Sequence, residues 1–202
     1  MYWKIATVLI LFIVFGWCFI EIKIRTRKDE KLEASFWDRE REANNVRRKP
    51  IDHLDYIKVP SDLPVGLLPD NPEIPGIIET VERISKEKIL NLTGYTNTDL
   101  KLMYGAPNIT ELSLYDQNYT ALVTTLQKWA DILLDNNYED EAIRIMEFLI
   151  STKVDIGRTY RLLAKHYLAH GNRESFEELK KTAGELRSLN GPHILESLKE
   201  ME

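Results

Sequence analysis

From residue 75 to the end of the chain, apolar side chains return every three or four positions, the period of a helix with one buried face. Ile77, Ile78, Val81, Ile84 and Leu90 form the first stripe and predict a helix that ends before the "TGYTNT" turn. Pro75 suits its first turn, where a missing N–H removes no helical hydrogen bond. A short helix is expected over about 98–104, stopped by Gly105 and Pro107, and a long one over about 116–135. Leu122, Val123, Leu126, Trp129, Ala130, Leu133 and Leu134 are its core stripe. "DNN" then makes a turn, and "EDEAIRIMEFLI" supplies a returning helix. In "GPHILESLKEM", at 191–201, Pro192 opens a helix whose Ile194, Leu195, Leu198 and Met201 form a capping stripe.

The N-terminal part is patterned differently. Residues 5–20, "IATVLILFIVFGWCFI", carry no charge, and Ile22 and Ile24 extend the apolar character. With Tyr2 and Trp3 the stretch is about 22 residues, roughly 33 Å as a helix, which predicts a transmembrane anchor. No A-x-A cleavage site follows it, so an uncleaved anchor is expected. Lys4 stands alone before the span, whereas Lys23, Arg25, Arg27, Lys28 and Lys31 follow it. The positive-inside rule then places the N-terminus outside and the C-terminal domain in the cytoplasm of a single-pass cell-membrane protein. Residues 29–48 are charged, lack Gly and Pro, and read as a helix with a thin apolar stripe of Leu32, Phe36, Ala43 and Val46. "RRK" at 47–49 reads as the basic end of that helix, closed by Pro50.

Pro60, Pro64, Pro69, Pro72 and Pro75 punctuate the next segment, which cannot be regular helix. It is too apolar for a free linker, with Ile51, Leu54, Ile57, Val59, Leu63, Val65, Leu67 and Leu68, so it is expected to lie extended against the C-terminal domain. The expected fold is all-α. A transmembrane anchor covers 1–24, a charged juxtamembrane helix 25–49, a proline-rich extended segment 50–74, and an array of helical hairpins 75–202.

The hairpins repeat. "LQKWADILLDNNYEDEAIRIMEFLI", at 126–150, resembles a tetratricopeptide repeat. Ala130 and Ala142 fit the small sites of its two helices, and Leu126, Trp129, Leu133, Met146 and Leu149 fit the large apolar ones. "YRLLAKHYLAHGNRESFEELKKTA" repeats the scheme with Tyr160, Leu163, Ala164 and Tyr167, a turn at Gly171, and Ala183 at a small site. Ala164 follows Ala130 by 34 residues, the tetratricopeptide period. The resemblance covers roughly residues 122–189. Phe176 departs from it, standing where a small residue is expected, and Val154 and Ser188 stand where a closing proline is usual. Two repeats bury too little surface alone, so the earlier helices and the last segment are expected to complete the core.

Charge and chemistry narrow the function classes. The mild net charge of -5 argues against general nucleic-acid binding, which usually needs a basic face, and Cys18 is the only cysteine, so no intrachain disulfide forms. "HYLAH", at 166–170, sets two histidines four apart, a metal-ligand spacing on a helix. A zinc protease needs Glu after the first His, and Tyr167 stands there. Glu174 lies beyond the turn, so no third ligand shares the face. In the repeat register His166 falls toward the seam with the preceding hairpin, and His170 caps the helix end. Phosphate-loop, dinucleotide, nucleophile-elbow and C-x-x-C motifs are absent, so neither catalytic residues nor a cofactor is expected. Asn91, Asn108 and Asn118 open glycosylation sequons, which matter only in a secretory lumen.

The resemblance implies an interaction or scaffold protein, since tetratricopeptide arrays hold peptides against their first helices. Arg158, Arg161 and Lys165 share one side of the second repeat's first helix, with Gln127 and Asp131 on the comparable surface of the first repeat. These five are the expected peptide-binding residues, and an acidic peptide or chain terminus the expected ligand. Phe36 and Trp37 are the expected docking residues of the juxtamembrane helix. An accessory subunit of a membrane enzyme and an extracytoplasmic assembly factor of inverted topology are the alternatives. The partner and the oligomeric state stay open.

Overall fold

The computed structural model describes the backbone of residues 2–202 and the side chains of residues 15–17, 19–26 and 29–202. Among the described residues there are eight α-helices and no strand. The helices are α1 (Tyr2–Asn45), α2 (Ile74–Ser85), α3 (Asn97–Tyr104), α4 (Ile109–Asp135), α5 (Glu139–Ser151), α6 (Gly157–Ala169), α7 (Arg173–Gly184) and α8 (Gly191–Lys199). A 3-10 turn over Ala106–Asn108 leads into α4. The chain forms two compact units, one of Met1–Lys49 with Asn97–Pro107 and one of Pro50–Thr96 with Asn108–Glu202.

In the first unit the C-terminal part of α1 packs against α3. Ala43 is fully buried, and its small side chain permits the close approach. Around it run polar links: Arg39 donates to Asp99 at 2.6 Å, Thr98 Oγ1 donates to Glu40 at 2.7 Å, and Lys101 also donates to Glu40. The Lys101 hydrogen bond is the main cause holding the Glu40 carboxyl below its usual range. The helix ends at Asn45 rather than at Pro50. Past that point the backbone pairs elsewhere: Ala106 N donates to Val46 O at 3.2 Å, and Lys49 N to Tyr104 O at 3.0 Å. The "RRK" cluster therefore lies beyond the helix and not in its last turn. Gly105 makes this pairing possible, with φ +94 and its backbone pressed on that of Arg47.

The expectation of a transmembrane anchor over 1–24 is corrected. Among the described residues, no helix is long and apolar enough to cross a membrane. The described part of α1 sets Phe15, Trp17, Phe19, Ile20, Ile22 and Ile24 beside Glu21, Lys23 and Arg25, and a dense charge run follows. Polar side chains thus interrupt the apolar run within two turns. Most of the stretch over 5–20 that carried the expectation, with Tyr2, Trp3, Lys4 and Cys18, lies outside the described side chains, as do Arg27 and Lys28. The single-pass location, with the N-terminus outside and the C-terminal domain cytoplasmic, rested on that span and falls with it.

The second unit holds the main core. The hairpins α4–α5 and α6–α7 stack through α5 against α6, with α2 on the other side of α4 and α8 closing α6 and α7. Ala130, Ala142, Ala164 and Ala183 are buried to within 1% of complete. Trp129, Tyr160 and Phe176 are the largest of the fully buried side chains. Phe176, where a small residue was expected, is a buried ring of this core. Ile194 and Leu198 of α8 are buried, and Leu195 and Met201 pack against the same core. Helix α4 starts at Ile109, earlier than expected, because Leu112, Tyr115 and Tyr119 continue its buried stripe for two more turns.

The segment 50–73 contains no helix, and Ile57, Val59, Leu63, Leu67 and Leu68 pack against the core. Helix α2 stops at Ser85, before Leu90. From there the chain runs without helix, with Ile89, Leu90 and Leu92 buried, and exchanges backbone bonds: Ile57 N donates to Ile89 O at 2.9 Å and Leu90 N to Tyr115 O at 3.2 Å. Trp129→Ala is expected to cost about 3–5 kcal/mol in equilibrium denaturation. Leu189, which is 93% exposed, gives the contrast: Leu189→Ser is expected to stay within about 0.5 kcal/mol.

Candidate functional site

A polar ladder of side chains links α4 to α6. Thr159 Oγ1 donates to Gln127 Oε1 at 2.5 Å, Gln127 Nε2 donates to Asp131 Oδ1 at 3.2 Å, and Arg158 Nη1 donates to Asp131 Oδ2 at 2.7 Å. Thr159 is fully buried, so its hydroxyl must find a partner. Three of the five residues expected to hold a peptide, Gln127, Asp131 and Arg158, thus spend polar atoms on one another. The Arg158–Asp131 pair is half exposed and contributes at most about 1 kcal/mol.

Arg161 and Lys165 differ from Arg158. Both are exposed, one helical turn apart on α6, and neither has an ion pair among the described residues. The Arg161 guanidinium lies over Gly157: a Cβ there would stand 3.2 Å from its Nη1 and 3.5 Å from Ile194 Cγ1. The first turn of α6 contains no acid and its N-cap, Ile156, offers no side-chain hydrogen bond. Cations near a helix N-terminus cost about 0.3–1 kcal/mol each. Helix stability therefore does not account for the arginines.

Phe36 and Trp37 stack edge to face, centroids 5.4 Å apart at 76°, and each is 54% exposed. They form a small apolar knob on α1, in the first unit. His166 Nδ1 lies 3.2 Å from Glu139 Oε1, tying α6 to the start of α5. His170 Nδ1 lies 2.8 Å from the His166 carbonyl, with the two rings 4.2 Å apart. Among the described residues no group of three His, Cys, Asp or Glu is placed to hold a metal.

A cleft of about 520 Å³ in the second unit was not foreseen. Its walls come from residues 55–57, 90–95, 151–155 and 185–188. No local sequence signal joins four segments so far apart. The two later segments leave the C-terminal ends of α5 and α7. Asn91 organises the wall, its Nδ2 donating to Thr152 O at 2.8 Å, to Lys153 O at 3.2 Å and to Tyr119 Oη at 3.0 Å. Lys153 Nζ donates to Glu185 at 3.0 Å, and the Arg187 guanidinium stacks 4.7 Å over the Tyr95 ring. Gly94, at φ +87, lets the Arg187 backbone close in: an added Cβ would meet its carbonyl oxygen at 2.8 Å.

Behind this wall lie two phenols. Burial is the main cause raising Tyr119 to about 12, with the negative charge of Asp155 adding to it. Burial raises Tyr160 in the same direction, and Tyr119 and Asp155 add to it. The sequons sit in the same packed region. Asn108 is fully buried, the Asn91 amide is tied up as above, and Asn118 Nδ2 donates to Lys88 O at 3.0 Å. No protein family's sequence profile matches this chain, and neither a curated protein nor a solved structure does.

The phenols give a pH dependence with a definite sign. A phenol in the unfolded chain ionises near 10, whereas Tyr119 holds its proton to about 12. Above about pH 10 the unfolded state binds fewer protons than the native state, so stability falls as pH rises. Melting temperature is expected to be insensitive to these groups at neutral pH and to drop from pH 10 to 11.5. In Tyr119→Phe with Tyr160→Phe the drop is expected to be shallower. At pH 7 the two substitutions should differ. The Tyr160 hydroxyl has no hydrogen-bond partner among the described residues, so Tyr160→Phe is expected to be neutral within about 0.5 kcal/mol. Tyr119→Phe removes the bond its hydroxyl accepts from Asn91 and the one it donates to Thr152 O, and is expected to cost about 1 kcal/mol.

Proposed function

We propose that this chain works by binding a protein segment rather than by catalysing a reaction, and that the segment is acidic and docks on the α4–α6 face. The observation that carries the reading is the contrast along α6. Arg158 is neutralised by Asp131, while Arg161 and Lys165 project from the same helix without an anion. A guanidinium and an ammonium one turn apart match two carboxylates of an extended peptide, or one side-chain carboxylate and a chain terminus. The α6 N-terminus adds positive potential of the same sign. The ladder below keeps the two helices in register, so the cations sit on a rigid platform and a ligand meets a preorganised surface.

The tetratricopeptide-like spacing supports the same reading independently. Arrays of that kind bind extended segments on the side of their first helices, and α4 and α6 are the first helices of the two matching hairpins. In this reading the chain is an interaction or scaffold protein, and its specificity lies in the free cations.

The test is selection from a random peptide library against the purified chain. Enrichment of sequences rich in Asp and Glu, or ending in a free carboxylate, is the expected result. Arg161→Glu with Lys165→Glu should abolish binding of the selected peptides while the helical circular dichroism is unchanged. Arg158→Gln should weaken it about twofold or less, because Arg158 is already committed to Asp131. The reading is wrong if selected peptides carry no acidic bias, or if the double variant keeps its affinity and salt dependence.

A further inference from the structure

The cleft at the C-terminal ends of α5 and α7 has an electrostatic balance opposite to that of the α4–α6 face. Its lining contains five charged side chains: Asp55, Asp155, Glu185, Lys153 and Arg187. Two of them cancel, since Lys153 Nζ donates to Glu185. The Lys153 hydrogen bond is the main cause holding the Glu185 carboxyl below its usual range. Arg187 is engaged with the face of Tyr95. Asp55 and Asp155 have neither a hydrogen bond nor an ion pair among the described residues. With the Lys153–Glu185 pair cancelled, Asp55 and Asp155 outnumber Arg187, and the cleft keeps an excess of carboxylate charge.

Three further features point to the same ligand chemistry. The segments 151–155 and 185–188 follow helix C-termini, whose dipoles favour a cation. The chain's own cations, Lys153 and Arg187, already settle at this end of the unit. Ile57, Leu90 and Leu186 give the cleft an apolar lining suited to methylenes. A volume of about 520 Å³ exceeds what a lone metal ion needs and accommodates a long side chain with flanking backbone.

We infer that this cleft is a second docking site, which takes a Lys or Arg side chain from a basic segment of a protein partner. The methylenes lie on Ile57, Leu90 and Leu186, and the cationic head reaches Asp55 and Asp155. The Gly94–Arg187 contact and the Asn91 bonds hold the walls in place, so the site is preorganised. It shares no residue with the α4–α6 face and stands or falls separately from it.

The experiment is titration of the ¹⁵N-labelled full chain with three blocked pentapeptides, identical except for a central Arg, norleucine or Glu, and with spermidine. The Arg peptide is expected to bind saturably and to shift the signals of Asn91 and Arg187. The norleucine and Glu peptides should bind at least about tenfold more weakly, the size of one lost charge-assisted contact. Asp55→Asn and Asp155→Asn should each weaken the Arg peptide about tenfold, and Arg161→Glu with Lys165→Glu should leave it unchanged. Absence of saturable binding overturns the inference, as does equal binding of the norleucine peptide. Spermidine binding as tightly as the peptide also overturns it, because the site would then read a free polyamine. Should an Asp→Asn chain fail to fold, the wild-type shift map decides alone: shifts away from Asn91 and Arg187 reject the site.

Discussion

The second unit depends on how closely its helices can approach. Ala130, Ala142, Ala164 and Ala183 sit where helices cross, and all are essentially without exposure. A methyl group there leaves room for Trp129, Tyr160, Met146 and Leu163, which are fully buried in the same core. Enlarging any one of these alanines would push two helices apart and open the core on both sides. The exception is informative. Where α6 meets α7 a phenylalanine, Phe176, occupies a crossing site, and the Lys180 ammonium lies 5.0 Å over its ring. In that hairpin an aromatic ring is buried beside Ala164 and Ala183, so successive hairpins in the stack are not equivalent in side-chain volume.

Between α4 and α6 the link is made by side chains. A hydroxyl as buried as that of Thr159 is tolerated only with a partner, and the long Gln127 side chain supplies it. The ladder that follows absorbs Asp131 and Arg158 into the structure. What remains outside it, Arg161 and Lys165, is available for binding. Whether a charged residue on α6 is spent in the fold or left without an ion pair is thus decided by one turn of helix.

The two proposed docking sites differ in the sign of their uncommitted charge, and the difference has a backbone origin. The cationic face lies toward the start of α6, and the carboxylate cleft lies at the ends of α5 and α7. In both places the free side chains carry the charge that the neighbouring helix ends do not neutralise. A partner segment with separated acidic and basic stretches would be complementary to both, and like charges presented to either site would be repelled.

Sequence periodicity by itself determined the helices of the second unit, their buried faces, and the small residues at their crossings. These properties are local: Leu126, Trp129, Ala130 and Leu133 share a face whatever surrounds them, because 3.6 residues make a turn. The apolar run over 5–20 was equally visible as a pattern, but the extent of a spanning helix was not, since α1 continues into charged residues and no described helix meets the requirement of a span. Tertiary structure decided the helix ends at Asn45 and Ser85, where backbone groups found partners in residues 104–106 and in Ile57 and Tyr115. It decided which candidate residues were spent, pairing Arg158 with Asp131 and leaving Arg161 apart. It also built the cleft from segments as distant as Asp55 and Arg187. A pattern along one helix reports which face is buried, but the partner across that face comes from elsewhere in the chain, and only folding brings the two within a hydrogen bond.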